Sequence, residues 1–239
     1  MLKRYIRRKL RPYLQPWETL QVAGVTVSYK RCLDGGGAVF GQEYIPFLKN
    51  AEMPRVRRAF EWCAGPAFIG FSLLANDLCE TLCLADINPM SVKACKRTIA
   101  ANGFGDRVSV YQGDSLAAVP LGERWDLVVS NPPHFAELYT SSIIAHDPGW
   151  RIHEGFYKGV KRHLSPSGVV LIQENNRGST AETFRRQIEA GGLKLVYSSP
   201  HVRNAPSADN HYYFVASIHA EDPVPDWLAR LAAAEAGRG

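Results

Sequence analysis

Four strand-like runs in the middle of this chain each stop at a side chain able to bind or polarise a small molecule. Val56–Trp62 carries Glu61 and enters the turn Cys63-Ala64-Gly65-Pro66-Ala67, and Thr81–Asp86 stops at Asp86. Arg107–Gln112 leads into Gly113-Asp114-Ser115, and Trp125–Ser130 leads into Asn131-Pro132-Pro133-His134-Phe135. Small residues in a strand–helix turn let a ligand approach the backbone, and the following helix offers free N–H groups. Asp86 stands 21 residues after Gly65, an interval from which a carboxylate accepts hydrogen bonds from ribose hydroxyls. The Asn131 segment says the most. Two prolines after a strand donate nothing and fix φ at about −65°, so they build a rigid turn that aims the Asn131 amide oxygen and nearby carbonyls at one point. Those acceptors suit an NH2 group, and His134 and Phe135 suit a flat partner.

Other chemistries lack their residues. Gly65 and Gly70 have the spacing of a phosphate-cradling loop, but Phe71 stands where that loop needs Lys, which excludes a triphosphatase of this kind. The seven histidines include no HExxH and no pair at ligand spacing on a helix, so no metal site is expected. A Gly-x-Ser-x-Gly elbow is absent, which argues against a serine hydrolase. The five cysteines, Cys32, Cys63, Cys79, Cys83 and Cys95, form no CxxC pair and write neither a disulfide framework nor a zinc ribbon. Asp147, Trp150 and Arg151 follow the Asn131 turn, where residues that cover a substrate belong.

Four acids and amides can converge only if the strands that carry them run side by side in one direction. From residue 55 the runs above alternate with helical segments. One helix is punctuated by Asn88 as N-cap, Pro89 at its first position and Asn102-Gly103 at its stop, with Val92, Cys95 and Ile99 as its buried stripe. A later helix, His153–Leu164, precedes the strand Gly168–Glu174; another opens with Ser179 and Glu182 at capping-box spacing and stops at Gly191-Gly192. Strands separated by helices need crossovers, so the fold class is α/β, a doubly wound, mainly parallel sheet of seven strands. Leu193–Ser199 and His211–His219 have no helix between them and are read as an antiparallel pair at the edge, with Asp226–Ala236 a terminal helix. Before this domain, residues 55–239, stands an extension, residues 1–54. It holds a helix with Leu2, Tyr5, Ile6 and Leu10 on one side, then a β-hairpin formed by Leu20–Lys30 and about Ala38–Phe47 around Gly35-Gly36-Gly37.

At 239 residues, 46% hydrophobic and 21% charged, the chain can bury a sizeable core, and no run of about eighteen apolar residues marks a membrane helix. The net charge of +5 is unevenly placed: residues 1–16 hold six basic and no acidic residues, and the remainder holds 22 basic against 23 acidic. A nucleic-acid acceptor would have to be gripped through the basic arm, residues 1–11, because the neutral body shows no basic stripe in composition. A small-molecule or peptide acceptor is therefore favoured. The arm's apolar stripe predicts that it packs on the domain. Charge where a signal peptide needs an apolar stretch sets the expected location as cytoplasmic.

In these residues the chain resembles class I S-adenosylmethionine-dependent methyltransferases of the Asn-Pro-Pro-aromatic subgroup. It is similar in layout to release-factor glutamine N5-methyltransferases and to adenine and guanine N-methyltransferases, over about residues 20–219, with Asn131–His134 the most specific part. The resemblance implies a Rossmann-like methyltransferase fold and S-adenosylmethionine as cofactor. It implies that Glu61, Cys63, Gly65 and Ala67 surround the methionine end, that Asp86 binds the ribose with Ile87 beside it, and that Asp114 and Ser115 meet the adenine. Asn131 and Pro132 would hold the nitrogen to be methylated, with Pro133 and His134 completing the catalytic turn and His134 and Phe135 facing the substrate. Three features depart from the pattern, one being that a single helix and a hairpin precede the sheet where the glutamine methyltransferases carry a longer N-terminal helical recognition domain. Cys63 and Ala67 replace the outer glycines of acid-x-Gly-x-Gly-x-Gly, and His134 stands where Tyr, Phe or Trp is usual. Three rival readings remain: transfer or cyclisation of the cofactor's aminopropyl side, a non-catalytic binding subunit, and a nicotinamide oxidoreductase.

Overall fold

The computed structural model describes residues 14–35, 38, 41–137, 143–199 and 212–236. The helix and basic arm expected before residue 12, and Gly36 and Gly37, lie outside these residues.

Seven strands form one sheet: β3 (Val56–Trp62), β4 (Cys79–Asp86), β5 (Val108–Gln112), β6 (Trp125–Ser130), β7 (Leu164–Asn175), β8 (Leu193–Ser198) and β9 (Tyr212–His219). Their order is β5-β4-β3-β6-β7-β9-β8. The β5-β4-β3-β6-β7 portion is parallel, and β9 pairs antiparallel with both β7 and β8. The order reverses between β3 and β6, and a crevice opens at the carboxyl ends of such neighbours. That places the ends of β3 and β6 side by side, so Glu61 and Asn131 become neighbours across the switch point. The antiparallel pair is as read from sequence, but β8 forms the edge and β9 is interior, with Phe214, Ala216 and Ile218 fully buried.

Alternation along each strand divides the core in two. Ala59, Leu82, Leu84, Leu127, Val129 and Leu171 face one layer, which holds α2 (Phe68–Ala75), α3 (Pro89–Asn102) and α6 (Asp226–Ala236). Phe60, Cys83, Val128, Val170 and Ile172 face the other, which holds α4 (Arg151–Val160) and α5 (Ala181–Ala190). Helix α3 starts and stops as the sequence signals: the Asn88 side chain accepts from Met90 N–H, Pro89 opens the helix, and Gly103 at φ 67° ends it. The capping box of α5 falls one residue later than expected, on Thr180 and Thr183 rather than Ser179 and Glu182.

The extension differs from its expectation. The hairpin lies wholly within the first stretch, as β1 (Glu18–Val22) and β2 (Val25–Tyr29) joined by Ala23-Gly24. Both turn residues have positive φ, 44° and 88°, which suits the right-handed twist of a two-residue hairpin. The second stretch, read as a strand, is instead a short 3-10 turn, Gly41–Glu43, followed by α1 (Tyr44–Asn50). Tyr44, Ile45 and Leu48 fall on one helical face and are buried. Pro46 is tolerated because first-turn N–H groups have no partner within the helix. Helix and hairpin join the same core layer as α2 and α3. Thr26 exchanges two hydrogen bonds with the Asn102 side chain, and Ser28 N–H donates to Thr98 Oγ1.

Candidate active site

A cavity of about 320 Å³ opens at the carboxyl edge of the sheet, lined on one side by the ends of β3, β4 and β6 and by Gly113-Asp114-Ser115. Glu61, Cys63, Asp86, Ile87, Asp114, Ser115, Asn131 and Pro133 all contribute to its wall. The other side is closed by Cys32, Leu33 and Gly35 from the turn after β2, which the sequence did not mark, and by Ile144, His146 and Ile152, around the Asp147–Arg151 segment expected to cover a substrate.

The turn after β3 is held in an unusual conformation. Cys63, Gly65 and Ala67 have φ of 50°, 53° and 62°, left-handed backbone that glycine adopts without steric cost. Two of the three are not glycine, so the turn keeps the shape expected of three glycines on side chains that resist it. Carboxylates secure it. Asp86 accepts from Gly65 N–H and from Asn88 N–H, each at 2.7 Å. Glu61 accepts from Gly70 N–H at 2.6 Å, and a Cβ at Gly70 would press on Glu61 Oε2 and on Leu82, so only glycine lets α2 sit this close. Burial pushes the Glu61 carboxyl up to about 8 against the opposing Gly70 and Ile69 N–H groups. Burial also raises Asp86, opposed by the Asn88 and Gly65 N–H groups.

Beyond β6, the Asn131 turn is tied down from both sides. His134 and Phe135 N–H both donate to the Ala145 carbonyl, and Asp147 N–H donates to the Phe135 carbonyl. From α1, the fully buried Tyr44 hydroxyl donates to the Ser130 carbonyl at 2.6 Å, with the Leu171 carbonyl 3.0 Å away, clamping the end of β6 to the middle of β7. Asn131 and Pro133 face the cavity. His134 and Phe135, only 5% and 8% exposed, are not among the described residues that line it. The His134 ring turns into the protein, with Nε2 2.9 Å from Asn131 Oδ1 and Nδ1 3.4 Å from Glu174 Oε2.

Glu174 and His153 are functional candidates that sequence reading passed over. His153 lies on the apolar face of α4 with Phe156 and Val160, three and seven residues on, a pattern that reads as plain core. It is fully buried between two carboxylates, Nε2 2.8 Å from Glu174 Oε1 and Nδ1 2.6 Å from Asp147 Oδ2. Burial alone would lower it, but the Glu174 charge and the bonds to both acids outweigh burial and raise it to about 9. Glu174 and Asp147 move the other way: burial opposes their ionisation, yet His153 holds both below the usual carboxylate range. Asp147, expected in a substrate-covering loop, is fully buried and accepts from Ile152 and His153 N–H at the start of α4. Trp150 packs edge-on against His153 and Phe184, whereas Arg151 is exposed.

The chemistry of the wall selects among ligands. Glu61, Asp86 and Asp114 supply three acids, and no Lys or Arg is among the described lining residues. Such a site suits a cation bearing ribose hydroxyls. Ser115 Oγ is buried with no partner, a polar atom left for a ligand, and Ile87, 65% exposed, offers an apolar surface for a flat ring. S-adenosylmethionine, with an ammonium, a sulfonium, a ribose and an adenine, fits this set. No group of three or more potential metal ligands occurs among the described residues.

Comparison with known proteins agrees. A release factor glutamine methyltransferase from Aquifex aeolicus is 25% identical over 126 residues, 48% of this chain and 44% of that protein. Ribosomal RNA small subunit methyltransferase C from Shewanella loihica is 34% identical over 145 residues, 60% of this chain and 36% of that protein. The chain thus spans about a third to a half of the length of these curated relatives. Among solved structures, the T. thermophilus 16S rRNA N2 G1207 methyltransferase, in complex with AdoMet and guanosine, superimposes with a TM-score of 0.58 at 15% identity, covering 86% of this chain and 51% of that one. At that identity the likeness speaks for the fold. The family described as Methyltransferase small domain matches residues 38–190, well over half of the sequence. With the expected Rossmann-like sheet present and its acids gathered around one cavity, the chain belongs to the methyltransferase small domain family, whose cofactor is S-adenosylmethionine.

Proposed function

We propose that this chain transfers a methyl group from S-adenosylmethionine to an amino or amide nitrogen of a small molecule or peptide. The observation that carries this reading is the Asn131-Pro132-Pro133 turn, of which Asn131 and Pro133 line the same cavity as Glu61, Asp86 and Asp114. When bound, the cofactor supplies a methyl group already activated for displacement. What the chain has to do is position a neutral nitrogen behind it. Asn131 Oδ1 and a carbonyl of the proline turn would accept the nitrogen's two N–H bonds, which favours a pyramidal lone pair and stabilises the charge that develops on it. Glu61 and the turn around Gly65 would hold the methionine end, Asp86 the ribose, and Ile87, Asp114 and Ser115 the adenine.

A nucleic-acid amino group is the second reading, favoured by the 34% identity to a ribosomal RNA methyltransferase. One experiment separates the two. Purified chain is incubated with methyl-tritiated cofactor and a cell extract, which is then divided into small-molecule, protein and RNA fractions, and the labelled product is weighed by mass spectrometry. The proposal expects one added methylene in the small-molecule or protein fraction. Label in RNA moves the acceptor to nucleic acid, and label recovered in methylthioadenosine, which keeps the methyl when the aminopropyl side leaves, assigns aminopropyl transfer or cyclisation. Cofactor binding with label in neither an acceptor nor methylthioadenosine would mark a non-catalytic subunit.

A further inference from the structure

A buried line of side chains runs from the acceptor end of the cavity into the core: Asn131, His134, Glu174, His153 and Asp147. Each of the four ring nitrogens lies opposite an oxygen, at 2.9 and 3.4 Å for His134 and 2.8 and 2.6 Å for His153. The oxygen opposite His134 Nε2 belongs to a carboxamide carbonyl, which accepts and does not donate. Edge-on ring contacts to Tyr212 and Phe135, at 5.3 and 6.3 Å between centroids, complete the walls around His134.

We propose that His134 is a positioning residue: held between the Tyr212 and Phe135 rings, it donates from Nε2 to Asn131 Oδ1 and so fixes which end of the Asn131 carboxamide faces the acceptor. This role rests on the methyl-transfer reading above. The two ends of a carboxamide have nearly the same shape and opposite hydrogen-bonding character. A half-turn of the Asn131 amide would set its NH2 against the His134 N–H, two donors in contact. Held as it is, Oδ1 keeps its second lone pair for an N–H of the acceptor. Phe at 134 would fill the space against Tyr212 and Phe135 but leave the amide free to turn. The ring thus acts on the acceptor through Asn131, in keeping with its burial and its place behind the cavity wall.

The test uses the full chain with its histidine rings labelled with ¹⁵N, read by long-range proton–nitrogen spectra without cofactor or acceptor. Signals are assigned with His134→Phe, and Asn131 NH2 is followed in a second, asparagine-labelled sample. The expected result is a proton on Nε2 of His134 at neutral pH, and an Asn131 NH2 signal that shifts in the variant. An unprotonated Nε2 in the native chain overturns the proposal. In the labelled-cofactor assay, His134→Phe should lower turnover roughly 10-fold or more while S-adenosylhomocysteine affinity stays within about threefold. His134→Gln, which keeps a donor, should recover most of the loss. Full turnover in His134→Phe also overturns the proposal. A native chain that labels no fraction, yet shows the protonated Nε2, sinks the methyl-transfer reading and leaves the orientation of Asn131 supported.

Discussion

Cys63 and Ala67 hold left-handed φ values of 50° and 62°, which cost a non-glycine residue about 1–2 kcal/mol each. Ala67→Gly would relieve this, lose about 0.8 kcal/mol of methyl burial and lose a further 0.4–1 kcal/mol, roughly, to unfolded-chain entropy. The effects nearly cancel, so urea unfolding should show a change within about 1 kcal/mol, with cofactor affinity kept or improved. Ala67→Val, β-branched at the same φ, should cost about 2 kcal/mol or more. If Gly clearly weakens cofactor binding, the Ala67 methyl shapes the pocket. Asp86 needs a gentler probe than Ala, because its two oxygens tether Gly65 and Asn88 N–H. Asp86→Asn keeps an acceptor and removes the charge, and should lower S-adenosylhomocysteine affinity by roughly 10-fold to 10²-fold, the worth of a charge-assisted hydrogen bond. Unchanged affinity by calorimetry would remove Asp86 from the cofactor site. That Glu61, Asp86 and Asn131 line one cavity was legible because each is an acid or amide at the end of an apolar run. The inward turn of His134 was not, because the partner that draws it in, Glu174, is 40 residues away in sequence.

Strands were more legible than the pieces that hold them in place. Val56–Trp62 and Trp125–Ser130 have the bounds read from sequence, since buried parallel strands are continuous apolar runs cut off by polar or small residues. The hairpin and α1 were misread for a local reason. Ala23-Gly24 is a weak turn signal beside a run of three glycines, and seven residues of α1 are too few for a helical period to stand out. Yet α1 bears directly on the site, because Tyr44 clamps β6 to β7 just before Asn131. The loop between β7 and α5 bears on it too. A Cβ at Gly178 would overlap the His134 carbonyl oxygen and crowd the Phe135 ring. Gly178→Ala should therefore displace the Asn131 turn at a cost of about 1–3 kcal/mol. Turnover should fall while cofactor affinity, which the proposed reading assigns to β3 and β4, is retained. Equal losses of both would mean that the two halves of the site are not held by separate elements.

At the scale of the whole molecule, two buried groups set the response to pH, and they act in the same direction. Burial raises Glu61 from 4.5 to about 8, so between those values the folded chain keeps a proton that the unfolded chain has released. His153, raised from 6.5 to about 9 by its two carboxylates in spite of burial, does the same over its own window. Wherever the folded state binds more protons, stability falls as pH rises, so the cofactor-free chain should lose stability steadily from weakly acidic pH to pH 9. On the acid side, Asp147 and Glu174, held below their ordinary range, lose their contribution as they protonate. The stability maximum should thus be mildly acidic. A cationic ligand beside Glu61 reverses the balance there, because it favours the ionised carboxylate. Cofactor binding below pH 8 should then release a proton, and affinity should rise with pH until about 8. Calorimetry of S-adenosylmethionine binding in two buffers of different ionisation enthalpy measures that proton directly. Glu61→Gln should abolish the buffer dependence and flatten the lower part of the stability profile, leaving the decline toward pH 9 that His153 causes. Binding heats that are the same in both buffers for the native chain would mean that Glu61 stays protonated with the cofactor bound, and that its carboxylate does not meet the ammonium end.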